Sequence, residues 1–171
     1  MLNNIMTEGE CSKLRSLIHH ANNIVLCCHV SPDGDAIGSV LGMAEVLKCM
    51  GKEPVMVVPD QFPDYLQWLP NTEKIVRYDK RSDYVDMVLK IADLVICLDF
   101  NALSRTDDME AALEACTAPR VLIDHHLNPS IACQVCVSHP NMSSASELVF
   151  RVAWQLGLFE QLGRHFATAV Y

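Results

Sequence analysis

Seven side chains carry most of the chemistry that this sequence can do. They fall at the ends of three apolar segments. The first segment runs C-C-His29 and then V-S-P-Asp33-G-Asp35; the second ends L-Asp99-F-Asn101; the third ends I-Asp124-His125-His126. If each segment is a strand of one parallel sheet, all three ends share one edge, and ligands of such sheets bind there. Three carboxylates held about 5 Å apart repel by roughly 3 kcal/mol per pair at an effective dielectric of about 20, or about 10 kcal/mol together. Protonation relieves this in part. Divalent cations relieve it better where neutral imidazoles stand alongside, and a mixed His/Asp set suits Mn²⁺ or a similar first-row ion. A carboxylate shared between two ions about 3.5–4 Å apart would make a two-metal site for phosphoryl transfer.

Taken singly, each residue has a plainer reading. Asp35 is placed to cap a helix and Asp33 to serve a turn, with Gly34 between them allowing the bend. His29 could equally be a hydrogen-bonded core histidine, and Asp99 a strand-end acid of another kind of domain. Of the adjacent His125 and His126, one would be structural if the strand continued through them. The plain readings would all have to hold at once, whereas a common site accounts for them together. Arg105 reads either as a phosphate contact or as a solvated helix-start arginine. Ser143, Ser144 and Ser146 read as helix-capping residues, and His19 and His20 as surface residues. Phe62, Tyr65 and Trp68 read as core or lid packing, not base-stacking platforms.

The elements that must position these groups alternate along the chain. Apolar runs at 23–30, 53–59, 92–100 and 120–126 read as buried strands, and C-Q-V-C-V-S-H (133–139) as an edge strand. Helices are expected at Thr7–Ala21, Ala36–Met50, Asp83–Ile91, Asp108–Cys116, Ser144–Gly157 and from Leu162, with one helical turn at Y-L-Q-W-L. Ser144 and Glu147 have capping-box spacing. The fold expected is therefore α/β, a mostly parallel sheet of about five strands with helices on both faces. The 171 residues suit one domain, and the chain stops at F-A-T-A-V-Y inside a helical pattern, which reads as a cut.

Composition narrows the function. With 13 Lys and Arg against 21 Asp and Glu, the formal charge is −8, which disfavours long nucleic-acid duplexes. No apolar run has the roughly 20 residues of a membrane helix. M-L-N-N-I-M-T-E-G-E lacks an export signal, so a cytoplasmic location and reduced thiols are expected for the 8 cysteines. Cys133 and Cys136 have zinc-knuckle spacing without a second half-site.

H-V-S-P-D-G-D-A-I-G-S, C-L-D-F-N and D-H-H, followed by S-S-A-S-E, resemble the DHH phosphoesterase superfamily. The wording is most similar to its branch of bifunctional oligoribonucleases and pAp phosphatases (NrnA-type, exopolyphosphatase-related). The matching blocks run from about residue 24 to 150. The resemblance implies two Mn²⁺ ions, with Mg²⁺ or Co²⁺ as substitutes. His29 and Asp33 would bind one ion, Asp35 and His125 the other, and Asp99 would bridge. It places His126 near the scissile phosphate, Asp124 behind the histidines, and Asn101 and Arg105 near substrate. Catalytic roles fall to Asp99, Asp124 and His126, with in-line hydroxide attack on phosphorus. The substrates implied are short oligoribonucleotides or 3′-phosphoadenosine 5′-phosphate (pAp). Cyclic dinucleotides, pyrophosphate or polyphosphate are alternatives within the fold, and a non-catalytic nucleotide-binding module is a further one. The family's last metal-binding Asp and its C-terminal substrate-binding domain have no counterpart in these residues, so 1–171 reads as the catalytic domain alone. A homodimer stays an open expectation.

Overall fold

The computed structural model describes residues 2–171. Twelve main elements follow in chain order: α1 (Glu8–His20), β1 (Ile24–Cys27), α2 (Gly34–Cys49), β2 (Val55–Val58), β3 (Val76–Arg77), α3 (Tyr78–Ile91), β4 (Leu94–Leu98), α4 (Glu110–Ala115), β5 (Arg120–Asp124), β6 (Val135–Ser138), α5 (Ala145–Gln155) and α6 (Arg164–Val170). One sheet runs β3-β2-β1-β4-β5-β6, with every pairing parallel. The sequence pattern accounts for five of its strands. The sixth, β3, has two half-buried residues, too short for any periodicity to mark.

The apolar runs are continuous because both faces of the sheet are covered. Ile24 and Leu26 join Leu94, Ile96 and Leu98 in a core closed by α1, α2, α5 and α6. Val25, Cys27, Val95 and Cys97 face the opposite way, against Val85 and Leu89 of α3 and Leu113 of α4. On β6 only Val135 and Val137 are buried, as its alternation implied for an edge strand. No helix among the described residues is long and apolar enough to cross a membrane.

Several local expectations change. Asp33, not Asp35, is the N-cap of α2; its carboxylate accepts from the amides of Asp35 and Ala36. Ser144 caps α5 by accepting from the Glu147 amide, but the Glu147 carboxylate turns to Ser143 and Arg151, so the box is not closed. A closed box forms instead at Thr7 and Glu10. The third helix starts five residues early, at Tyr78, with a break at Arg81. Tyr65 and Trp68 are each 70% exposed, so neither packs in the core; only Phe62 rests against it. His19 and His20 lie on the surface, as read.

α2 is the buried helix that delivers Asp33 and Asp35, and its seat depends on glycine. A Cβ at Gly38 would overlap the Ala169 carbonyl oxygen of α6, and one at Gly42 would meet Val170 and Val149. Overpacking of this kind costs about 1–3 kcal/mol, more than the helix propensity alanine adds. Gly38→Ala is expected to lower Tm by about 4–8 °C. A melt at or above the wild-type temperature would show that α6 yields freely.

Candidate metal centre

The strand order reverses between β1 and β4, which are neighbours although β2 and β3 intervene in sequence. A crevice opens at such a switch point, outside the carboxyl ends of the strands. His29 lies two residues beyond β1 and Asp99 directly beyond β4, so both stand at this crevice. His125 and His126 follow β5 on the far side of Asp99, and Asp33 and Asp35 open α2.

Asp99 is the centre of the cluster. It is 2% exposed, and its backbone takes the left-handed conformation at φ 63°, which Asp tolerates better than most residues. Its Oδ2 lies 3.4 Å from His29 Nε2 and its Oδ1 3.4 Å from His125 Nε2. Asp33 Oδ1 is 3.9 Å from His29 Nε2, and Asp35 Oδ2 is 3.5 Å from His125 Nε2. Two groups thus form, each with its donor atoms within 4.8 Å of one another: His29 with Asp33 and Asp99, and Asp99 with His125 and His126. Asp99 belongs to both.

Each imidazole is held through Nδ1. His29 Nδ1 donates to the Val30 carbonyl at 2.7 Å, His125 Nδ1 to Met142 O at 3.3 Å, and His126 Nδ1 to Asp124 Oδ1 at 2.7 Å. With the proton on Nδ1, the Nε2 lone pair is the free one, and outer partners of this kind are what metal-binding histidines use to set their tautomer. At His29 and His125 two acceptors then face each other, lone pair against carboxylate. Asp99 Oδ1, fully buried, has no hydrogen-bond partner. Such an arrangement calls for a proton or a cation between the acceptors. The residues present therefore fit a divalent ion.

The protonation energetics agree. Burial pushes the Asp99 carboxyl above its ordinary value; the His29 hydrogen bond opposes this, and the Asp35 and Asp33 charges reinforce it. For His29, burial disfavours the imidazolium, but hydrogen bonds to Asp99 and Val30 O and the charges of Asp99 and Asp33 outweigh it, so its pKa is raised. Without a cation, the cluster holds on to protons.

The remaining expected residues divide. Asp35 Oδ2 and Oδ1 accept from the amides of Ala145 and Ser146 at 2.8 Å each, so this carboxylate caps α5 across the site and keeps its second lone pairs. Asp124 is fully buried against His126. Asn101 Nδ2 donates to Leu127 O at 2.7 Å and ties down the segment after His126. The Arg105 side chain is exposed, and its carbonyl accepts from the Val30 amide. Cys133 and Cys136 gain no third ligand among the described residues; burial and the neighbouring Cys136 thiol push Cys133 up to about 11. A further acid, outside the set read from the sequence, stands beside the loop that carries His29 and Asp33. Asp60, just beyond β2, accepts from the Ser31 amide at 2.7 Å. The signal was present, since V-V-P-Asp60 is a further acid at a strand end.

A doubly wound parallel sheet with a His/Asp cluster at its switch point defines an α/β domain bearing a candidate divalent-metal centre. The chain belongs to the DHH family: the description "DHH family, N-terminal domain" matches residues 23–171. Over 129 residues, 74% of this chain, it is 33% identical to the bifunctional oligoribonuclease and PAP phosphatase NrnA of Thermus thermophilus, covering 35% of that protein. It is 39% identical to an exopolyphosphatase-related protein from Bacteroides fragilis, whose crystal structure superposes with a TM-score of 0.96 over 99% of this chain and 50% of the other. The chain thus spans about half or less of the length of these relatives.

Proposed function

We propose that this domain hydrolyses phosphoester bonds of short oligoribonucleotides, of pAp, or of both, with two divalent ions, Mn²⁺ foremost. The observation that carries the reading is Asp99, a buried carboxylate between two imidazole Nε2 atoms with Oδ1 unpartnered. Family membership and the name of the Thermus relative support the substrate class. His29 and Asp33 would hold one ion, Asp35 and His125 the other, with Asp99 between. Bound there, the ions would supply Lewis acidity toward the phosphoryl oxygens and a hydroxide equivalent near neutral pH.

The chain's own residues supply the rest. His126 Nδ1 is engaged by Asp124 Oδ1, which leaves Nε2 as the ring atom that would donate to a phosphoryl or leaving oxygen. Its side chain is 38% exposed, which leaves it open to substrate. Asp124 holds the ring's tautomer and offsets the imidazolium charge. The exposed Arg105 guanidinium can take a phosphate oxygen in the crevice. The acidic balance of the chain favours a small ligand over a long duplex.

The direct test is hydrolysis of pAp and of a dinucleotide with Mn²⁺, alongside a cyclic dinucleotide and pyrophosphate. Turnover of the first two is expected. Activity confined to the cyclic dinucleotide or pyrophosphate would overturn the substrate assignment, and activity on none would leave a binding module. Asp124→Asn is expected to lower kcat about 10–100-fold with Mn²⁺ affinity within about threefold. Equal loss of metal binding would move Asp124 from the proton to the ions.

A further inference from the structure

The loop after β1 carries His29 and Asp33, and its conformation is unusual. Ser31 has φ 52°, in the left-handed region. The next residue is Pro32, which drives its predecessor toward extended backbone. Ser31 is also exposed, so its amide would find water if released. Something must hold it from outside.

The sheet order places β2 and β4 on either side of β1, and the loop is fastened to both. On the β4 side the Val30 amide donates to Arg105 O at 2.7 Å. On the β2 side the Ser31 amide donates to Asp60 Oδ1 at 2.7 Å, and Ser31 Oγ lies 3.5 Å from Oδ2. Val30 O in turn holds His29 Nδ1. The peptide units of Val30 and Ser31 therefore determine where His29 Nε2 points and where Asp33 begins α2.

We infer that Asp60 is a positioning residue for the metal centre: it clamps Ser31 in the left-handed conformation and so sets His29 and Asp33 against Asp99. This rests on the metal-centre reading above. Among the described residues Asp60 makes no hydrogen bond or ion pair to a proposed ligand side chain; it acts through the Ser31 backbone.

Mn²⁺ titration calorimetry on the chain and three variants tests it, with thermal melts to confirm folding. Asp60→Ala is expected to weaken Mn²⁺ binding about tenfold or more. Asp60→Asn keeps an oxygen for the Ser31 amide and is expected to stay within about threefold of wild type. Adding Ser31→Gly to Asp60→Ala is expected to restore most of the affinity, because glycine adopts positive φ without strain. Hydrogen exchange at the Ser31 amide, measured without metal, is expected to be slow in wild type and Asp60→Asn and fast in Asp60→Ala. Wild-type affinity in Asp60→Ala overturns the clamp, as does an Asn variant as weak as Ala or a glycine that restores nothing. A wild-type chain that takes up no Mn²⁺ overturns the metal-centre reading as well.

Discussion

Asp99→Asn is expected to reduce hydrolysis at least a thousandfold and to weaken Mn²⁺ binding by a comparable factor, while the metal-free chain stays folded. The variant keeps the shape of the side chain and, unlike alanine, suits the left-handed backbone at φ 63°. What it removes is the charge between His29 and His125. A thousandfold loss corresponds to about 4 kcal/mol, the scale on which metal-ion charge stabilisation acts. The metal-free protein tells a different story. There the Asp99 charge is a burden, since burial and the Asp33 and Asp35 carboxylates all raise its pKa. An amide at 99 is therefore expected to leave the metal-free melting temperature unchanged or higher. Retention of a tenth of the wild-type rate, or a large fall in metal-free Tm, would remove Asp99 from the centre. Asp99→Ala should lose activity as fully, with an added cost for its backbone conformation.

Chelation with EDTA is expected to silence the protein, and Mn²⁺ to restore it. The same ion should appear as stability. At about 100 times its Kd, a ligand that binds only the folded state adds about 2.7 kcal/mol. For a chain of this size that raises Tm by about 5–10 °C. The effect carries a pH signature whose sign follows from His29 and Asp99. Both have raised pKa values when folded. For each, the stability gained from protonation is complete below its unfolded pKa and lost as pH rises through its folded one. His29, whose usual imidazole value is about 6.5, sets the window near neutrality, so the metal-free chain is expected to be less stable at pH 8 than at pH 6. Mn²⁺ competes with those protons, so its stabilisation should grow over the same interval. A metal-free Tm that is flat or rising, with a Mn²⁺ increment that shrinks toward pH 8, would contradict the cluster as described.

The outcome for single residues shows which signals were legible. Strand ends were: C-C-His29, L-Asp99 and Asp124-His125-His126 sit at one edge because the apolar runs before them had to be parallel strands, buried on both faces. The same logic applied to V-V-P-Asp60 marks a further acid at that edge, the one that accepts from the Ser31 amide. Local capping is not legible in the same way. Asp35 has the spacing of an N-cap, yet Asp33 takes that role and Asp35 caps α5, 110 residues away in sequence. Trp68 and Tyr65 have the size of core residues but lie exposed, since the connector after β2 turns them outward.

Residue types, their period and their place at segment ends are local properties. They were enough to specify a covered parallel sheet and to nominate the acids and imidazoles at its carboxyl edge. Strand order is not local. Only the folded chain brings β4 beside β1, sets Asp99 between two Nε2 atoms and points Asp35 at a distant helix, because those contacts join segments whose spacing along the chain leaves no periodic trace.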